Sequence, residues 1–151
     1  MNKCISFVLA VLVVLSMVSV CASASENETG TVIMLEDGSY FIVTLQAIET
    51  RTNATISGNK SYSYYTNNGE LKWTAVLHGT FTYTGISAVC TASSCDVTIY
   101  DAGWYVASKN VGKNANAATV DLAVSKKVLG ITVDTVSVSL TLRCDKYGKL
   151  S

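Results

Sequence analysis

The feature that most constrains this chain is an alternation running through residues 71–83. Leu71, Trp73, Ala75, Leu77, Phe81 and Tyr83 share one parity, and Lys72, Thr74, His78, Thr80 and Thr82 share the other. Successive side chains of a β-strand point to opposite faces, so this pattern builds a strand with one buried and one wet side. Gly79 interrupts the run and marks an expected bend or bulge.

The same period recurs elsewhere. Residues 31–35 and 40–45 are rich in β-formers and flank Glu36-Asp37-Gly38-Ser39, a turn built on Asp-Gly. Residues 61–66 precede Asn67-Asn68-Gly69, whose side chains tolerate positive φ and so signal a hairpin. Further strands are expected over residues 86–91, 95–100 and 104–108, while the Asn- and Gly-containing stretch 109–118 reads as a loop. Residues 46–52 allow one helical turn.

Val120, Leu122 and Val124 alternate again, and Gly130 marks a turn. Val136, Val138, Leu140, Leu142 and Cys144 then share a face opposite Ser137, Ser139, Thr141 and Arg143. Ile131 and Val133 have the opposite parity, which predicts a bulge near Asp134-Thr135. About eight or nine short strands with frequent turns predict an all-β fold, an antiparallel β-sandwich of immunoglobulin-like general architecture.

The N-terminal residues follow different rules. Lys3 supplies a positive start, residues 5–20 form an apolar run, and Ala22-Ser23-Ala24 offers small side chains before a cut. That order is the pattern of a secretory signal peptide cleaved after Ala24. The uncharged stretch is also long enough for an uncleaved anchor, but its strongly apolar part is short and a cut site follows it. Lipidation at Cys21 is disfavoured, because the branched Val20 stands where a small residue should precede the modified cysteine. The expected organisation is a signal peptide over residues 1–24, a flexible leader over 25–30 and a single β-sandwich domain over 31–151. Such a protein is secreted or extracellular, with association to the cell envelope open.

Composition narrows the function classes. Eleven Lys+Arg balance eleven Asp+Glu, so no overall field draws the chain to nucleic acid. Neither net charge nor a long amphipathic helix favours membrane insertion once the signal is removed. A single histidine counts against most metal and triad chemistry. Export places the chain where disulfides form, and residues 25–151 contain Cys90, Cys95 and Cys144. An odd count leaves one thiol over. Chain entropy favours the long bridge Cys90–Cys144 over Cys90–Cys95, about 4 against about 2 kcal/mol. Trp104 is placed to pack on the long bridge, as a tryptophan does in immunoglobulin-type sandwiches. Cys95 is then an unpaired, buried thiol.

Several motifs together resemble a known family. These are Leu71-Lys72-Trp73-Thr74, Gly79-Thr80-Phe81-Thr82-Tyr83-Thr84-Gly85 and Cys90-Thr91, with Trp104 and Ala117-Ala118-Thr119. The ending Leu140-Thr141-Leu142-Arg143-Cys144-Asp145-Lys146-Tyr147-Gly148-Lys149-Leu150-Ser151 fits the same picture. The set resembles a family of short exported all-β proteins of Gram-positive, gut-associated bacteria to which no activity is assigned, over roughly the last ninety residues. The resemblance implies a secreted all-β domain without catalytic residues. Its pattern includes cysteines corresponding to Cys90 and Cys144, which supports the long bridge, and Cys95 is an addition to it.

Candidate chemistry is sparse. His78 lies in the polar register of a strand, and no Gly-x-Ser-x-Gly elbow surrounds any serine. A Cys95–His78 pair lacks support from sequence. Glu49, Glu70, Asp96, Asp101, Asp121 and Asp134 have no spacing that fixes two carboxylates at a glycosidase separation. Zinc and calcium ligand patterns are missing, and no cofactor is implied. Three Asn-x-Ser/Thr sequons, at Asn27, Asn53 and Asn59, read as chance matches in a chain rich in these residues.

Aromatic rings remain. Tyr62 and Tyr64 share a face and are the candidate ligand-binding residues, since exposed rings stack on the C–H faces of sugars. Trp73 and Trp104 are expected in the core. The leading expectation is a non-catalytic extracellular binding or structural domain, with a glycan or an extracellular protein as partner. A carbohydrate- or cell-wall-binding module and a small secreted hydrolase are the alternatives.

Overall fold

The computed structural model describes residues 30–48 and 54–151. The expected signal peptide, most of the expected leader, Glu49, Asn27 and Asn53 of the sequons and part of the expected helical turn lie outside the described residues. Eight strands follow in order: β1 (Thr31–Met34), β2 (Tyr40–Ile48), β3 (Thr55–Tyr65), β4 (Leu71–Tyr83), β5 (Ala88–Ile99), β6 (Trp104–Asn114), β7 (Ala117–Val128) and β8 (Ile131–Arg143). Every pairing is antiparallel. The strands form a five-stranded sheet, β1-β2-β3-β4-β5, and a three-stranded sheet, β6-β7-β8.

The fold is therefore an all-β, two-layer antiparallel sandwich. Within each sheet every strand pairs with its neighbour in sequence, so both are meanders. The Greek-key return of immunoglobulin domains is not present among the described strands. The chain passes between layers once, through residues 100–103, where the Lys72 ammonium holds Asp101 at 2.9 Å and Glu70 at 2.8 Å.

Alternation decides what is buried. Trp73, Ala75, Leu77 and Phe81 of β4 are closed off from solvent, as are Val120, Val124, Leu140 and Leu142 across the interface. Each large apolar side chain so buried contributes about 1.5–3 kcal/mol. At one end of the core Tyr64 stacks on Trp73 with centroids 5.5 Å apart, and Trp104 closes on Tyr64 at 5.5 Å from the other layer. Both tryptophans are core residues, as expected, Trp73 on the buried parity of its strand.

The registers shift at Tyr64/Tyr65, Thr80/Phe81, Val106/Ser108 and Lys126/Lys127, and the second and fourth shifts fall where the sequence points to bulges. Thr80 faces Ala92 while Phe81 faces Cys90, which leaves Thr91 unopposed on β5 just past Gly79. Gly79 itself makes room, since a Cβ there would lie 2.7 Å from the Phe81 ring and 3.0 Å from Leu142. On β8, Lys126 faces Asp134 and Lys127 faces Thr132, so Val133 is the extra residue, beside the position that parity indicates. The expected loop over 109–118 is instead the end of β6, a tight Ala115-Asn116 connection and the start of β7. Residues 46–48 continue β2 and form no helical turn.

Two features position the candidate site. First, the three-stranded sheet packs across β3, β4 and β5, and β1 and β2 extend past it: Phe41 and Val43 of β2 are still buried, whereas Ile33 of β1 is 42% exposed and Leu45 is only partly buried. Second, the C-terminal residues fold back on β8. The Asp145 carboxylate accepts the Tyr147 and Lys149 amides at 2.8 and 2.9 Å, which shapes the turn. Leu150 then bridges to Cys144, and Ser151 exchanges backbone hydrogen bonds with Arg143 at 2.9 and 3.0 Å. The Leu150 side chain is buried against Gly58 of β3.

Candidate functional site

The inner face of β1, β2 and β3 forms a groove of about 340 Å³, lined by Thr31, Ile33, Val43, Leu45, Lys60 and Tyr62. Its volume falls in the range of about 300–1,000 Å³ typical of ligand clefts. Ile33, Val43 and Leu45 supply an apolar wall because their parity is that of the core; Val43 is buried in it, Leu45 packs at its margin and Ile33 stays open. Lys60 and Tyr62 share that parity on β3 and carry its polar groups.

Lys60 is the unusual residue. A half-buried ammonium on an inward register needs a partner, and its Nζ donates to the Thr141 carbonyl of β8 at 3.1 Å. Among the described residues no carboxylate lies within ion-pairing distance of it. Burial pushes its pKa below the ordinary lysine value, because the charged form loses hydration. Burial likewise pushes the Tyr62 phenol up.

The two candidate tyrosines separate in space. Tyr62 packs edge-on against Phe41 with centroids 5.9 Å apart and lines the groove. Tyr64 is 3% exposed, enclosed by Phe41, Trp73 and Trp104. A ring so enclosed offers no face to a sugar, so Tyr64 is a core residue and the paired-tyrosine platform is corrected to Tyr62 alone. The physical reason is cover: β3 passes under the opposite sheet at Tyr64 and emerges from it toward Tyr62.

Cys90, Cys95 and Cys144 are all buried and free, so the expected Cys90–Cys144 bridge is not formed in this structure, and their thiols donate to the Ala92, Asp96 and Asp145 carbonyls. The β6–β7 turn nonetheless draws two of them together. Ala115 accepts the Cys90 amide at 2.7 Å and the adjacent Asn116 accepts the Cys144 amide at 3.0 Å. Burial raises both thiol pKa values, and Cys90 lies close enough to push Cys144 up further. Cys95 faces the core opposite Leu77, away from this pair. The expected packing of Trp104 on the cysteines does not occur. Cys144 follows the residue opposite Ala117 and Trp104 stands opposite Lys126, so they lie at opposite ends of β7, about 30 Å apart at roughly 3.3 Å per residue.

The outer face of the five-stranded sheet is polar. Ser63 bonds Thr74 and Ser57 bonds Thr80, both at 3.0 Å, and Thr44 bonds Ser61 at 2.6 Å. His78 lies among them, with Nδ1 at 2.7 Å from Asn59 Oδ1 and Nε2 at 3.1 Å from Asp96 Oδ2. Both ring nitrogens are thus engaged by non-nucleophilic groups. Cys95 faces the opposite side of the sheet, so a Cys95–His78 pair is ruled out by register. Asp96, Asp101 and Asp121 each engage a different partner, His78, Lys72 and Ser139. Among the described residues no group of three His, Cys, Asp or Glu is placed to hold a metal ion.

No family model, curated protein or solved structure matches this chain. Lys60, Ile33, Val43 and Leu45 are the groove residues that sequence reasoning missed. The available signal was Lys60 itself, a charged residue sharing the parity of Tyr62 and Tyr64.

Proposed function

We propose that this chain is an exported, non-catalytic binding domain whose ligand face is the groove over β1, β2 and β3. The observation that carries this reading is the overhang of the five-stranded sheet. It leaves apolar side chains uncovered beside a half-buried lysine without a carboxylate. Export after cleavage at Ala24 and an extracellular or envelope-associated location rest on the N-terminal pattern. In an oxidising compartment the neighbouring Cys90 and Cys144 form the disulfide, and Cys95 stays a buried thiol.

A second reading is glycan recognition by the outer face, favoured by its rows of hydroxyls and amides around Asn59 and His78. Ser94 stands directly across from His78, but the ring nitrogens are held by Asn59 and Asp96 and neither bonds a hydroxyl, which speaks against the hydrolase reading.

Amide-resolved NMR titration of the mature protein tests both. The probes are peptidoglycan fragments, mucin oligosaccharides and short extended peptides. Shifts clustered on Ile33, Val43, Leu45 and Lys60 are expected, and an Ile33→Asp substitution should abolish them. Shifts clustered on Asn59, His78 and Thr98 would favour the glycan face. No localised shift with any probe would remove the binding role.

A further inference from the structure

The overhanging groove coincides with an open strand edge. β8 is the last strand of its sheet, and Arg143 turns its backbone groups outward to Ser151. Residues of the same parity, Thr135, Ser137, Ser139 and Thr141, therefore aim N–H and C=O away from β7 toward the seam. Among the described residues no strand pairs with them on that side. The Thr141 carbonyl is held instead by Lys60 from the opposite sheet.

Natural edges are usually blunted by lysine, proline or bulges. Residues 134–142 of β8 contain no Lys, Arg or Pro, and Asp134 is their one charged residue. Leu150 and Ser151 already occupy the lane beyond β8, with Leu150 seated on Gly58. A strand laid along this lane past Ser151 would run parallel to β3. Its inward side chains, two residues apart, would meet Lys60 beside Leu45 next and then Tyr62 beside Val43.

We propose that an extended peptide segment of a partner protein adds to β8 as a further strand, seating alternate apolar side chains in the groove and a carboxylate against Lys60. This rests on the binding-domain reading above and names its partner class. Main-chain bonds to Thr135, Ser137 and Ser139 supply affinity, and the groove selects side chains on one parity. Charge complementarity selects the acid, because the Lys60 ammonium has three donors and gives one to Thr141. A carboxylate placed there forms a charge-assisted bond, shorter and stronger than one between neutral groups.

The test uses the mature protein and the capped peptide Val-Thr-Val-Thr-Glu-Thr-Val-Thr-Val. Its counterparts carry lysine in place of glutamate, or N-methyl groups on the backbone that pairs. The glutamate peptide is expected to bind and to protect the Thr135, Ser137 and Ser139 amides from exchange. Lysine replacement or N-methylation should weaken binding about tenfold or more. Lys60→Glu should reverse the preference between the two charged peptides, with Lys60→Met as a control for folding by circular dichroism. Equal binding of the N-methylated peptide, or no binding, overturns strand addition. So does self-association that protects the same amides, which would make the occupant a second copy. If those results coincide with groove shifts from another probe, the binding-domain reading survives and only the strand proposal falls.

Discussion

Leu150 sits so closely on Gly58 that a Cβ at position 58 would overlap its Cδ1 and lie 2.9 Å from the Gln46 carbonyl. The glycine is thus a docking surface for the C-terminal residues, which hold the end of β8. Gly58→Val should expel Leu150 and cost about 1–3 kcal/mol. Leu150→Ala should cost about 2–5 kcal/mol, and the double variant less than the sum, because both changes break one contact. Urea unfolding of the three variants measures this, and full additivity would show that the two residues act independently.

Tyr62 and Tyr64 share a strand face but differ in cover, and substitution should separate them. Tyr64→Ala opens a cavity among Phe41, Trp73 and Trp104 and should cost about 3–5 kcal/mol. Tyr62→Ala, at the groove, should cost distinctly less while removing ligand-induced shifts. Thermal melts read the first effect and the NMR titration reads the second. Equal destabilisation would place Tyr62 in the core as well.

Intact mass of the protein folded under oxidising conditions, with and without reduction, should show one bridge, and peptide mapping should assign it to Cys90 and Cys144. Breaking it by Cys144→Ser should lower stability by about 4 kcal/mol. In the reduced protein both folded thiol pKa values lie above their unfolded values. Their contribution is therefore fully present below about pH 8.5 and is lost as pH rises through the raised values. Oxidised protein should lack that alkaline loss, and a bridge mapped to Cys90 and Cys95 would overturn the assignment.

Much of this fold is readable from parity alone. The alternation centred on Trp73 identifies the longest buried strand, and the parity change between Val133 and Val136 locates a bulge to within a residue. The 109–118 segment is not readable that way. Most of its strand residues are solvated, so no alternation marks the β6–β7 hairpin. The groove is harder still. Tyr62 and Tyr64 have identical registers, and only the width of the opposing sheet decides which is covered. Lys60 carries meaning once β1 and β2 are known to overhang, a relation between layers rather than a property of any segment.

The Asp145 carboxylate is held below its usual range by the Lys149 and Tyr147 amides it accepts. A depressed folded pKa means that its stabilisation is present above about pH 4 and is lost as pH falls through the lower, folded value. The Tyr147 and Lys149 amide resonances should therefore titrate together below about pH 4. Asp145→Ala should place both at their acid positions at neutral pH. Amide shifts that ignore acidification would show that the turn stands without the carboxylate.

The single passage between layers orders events during synthesis. Strands β1 to β5 emerge as a continuous unit, with Trp73, Leu77 and Phe81 facing a side that has no lid. Their cover is supplied by β7 and β8, which follow Ile99 after a gap that includes all of β6. A chain interrupted near Gly103 would present a broad apolar sheet to whatever surrounds it, the kind of exposed surface that aggregates until β7 and β8 arrive to cover it.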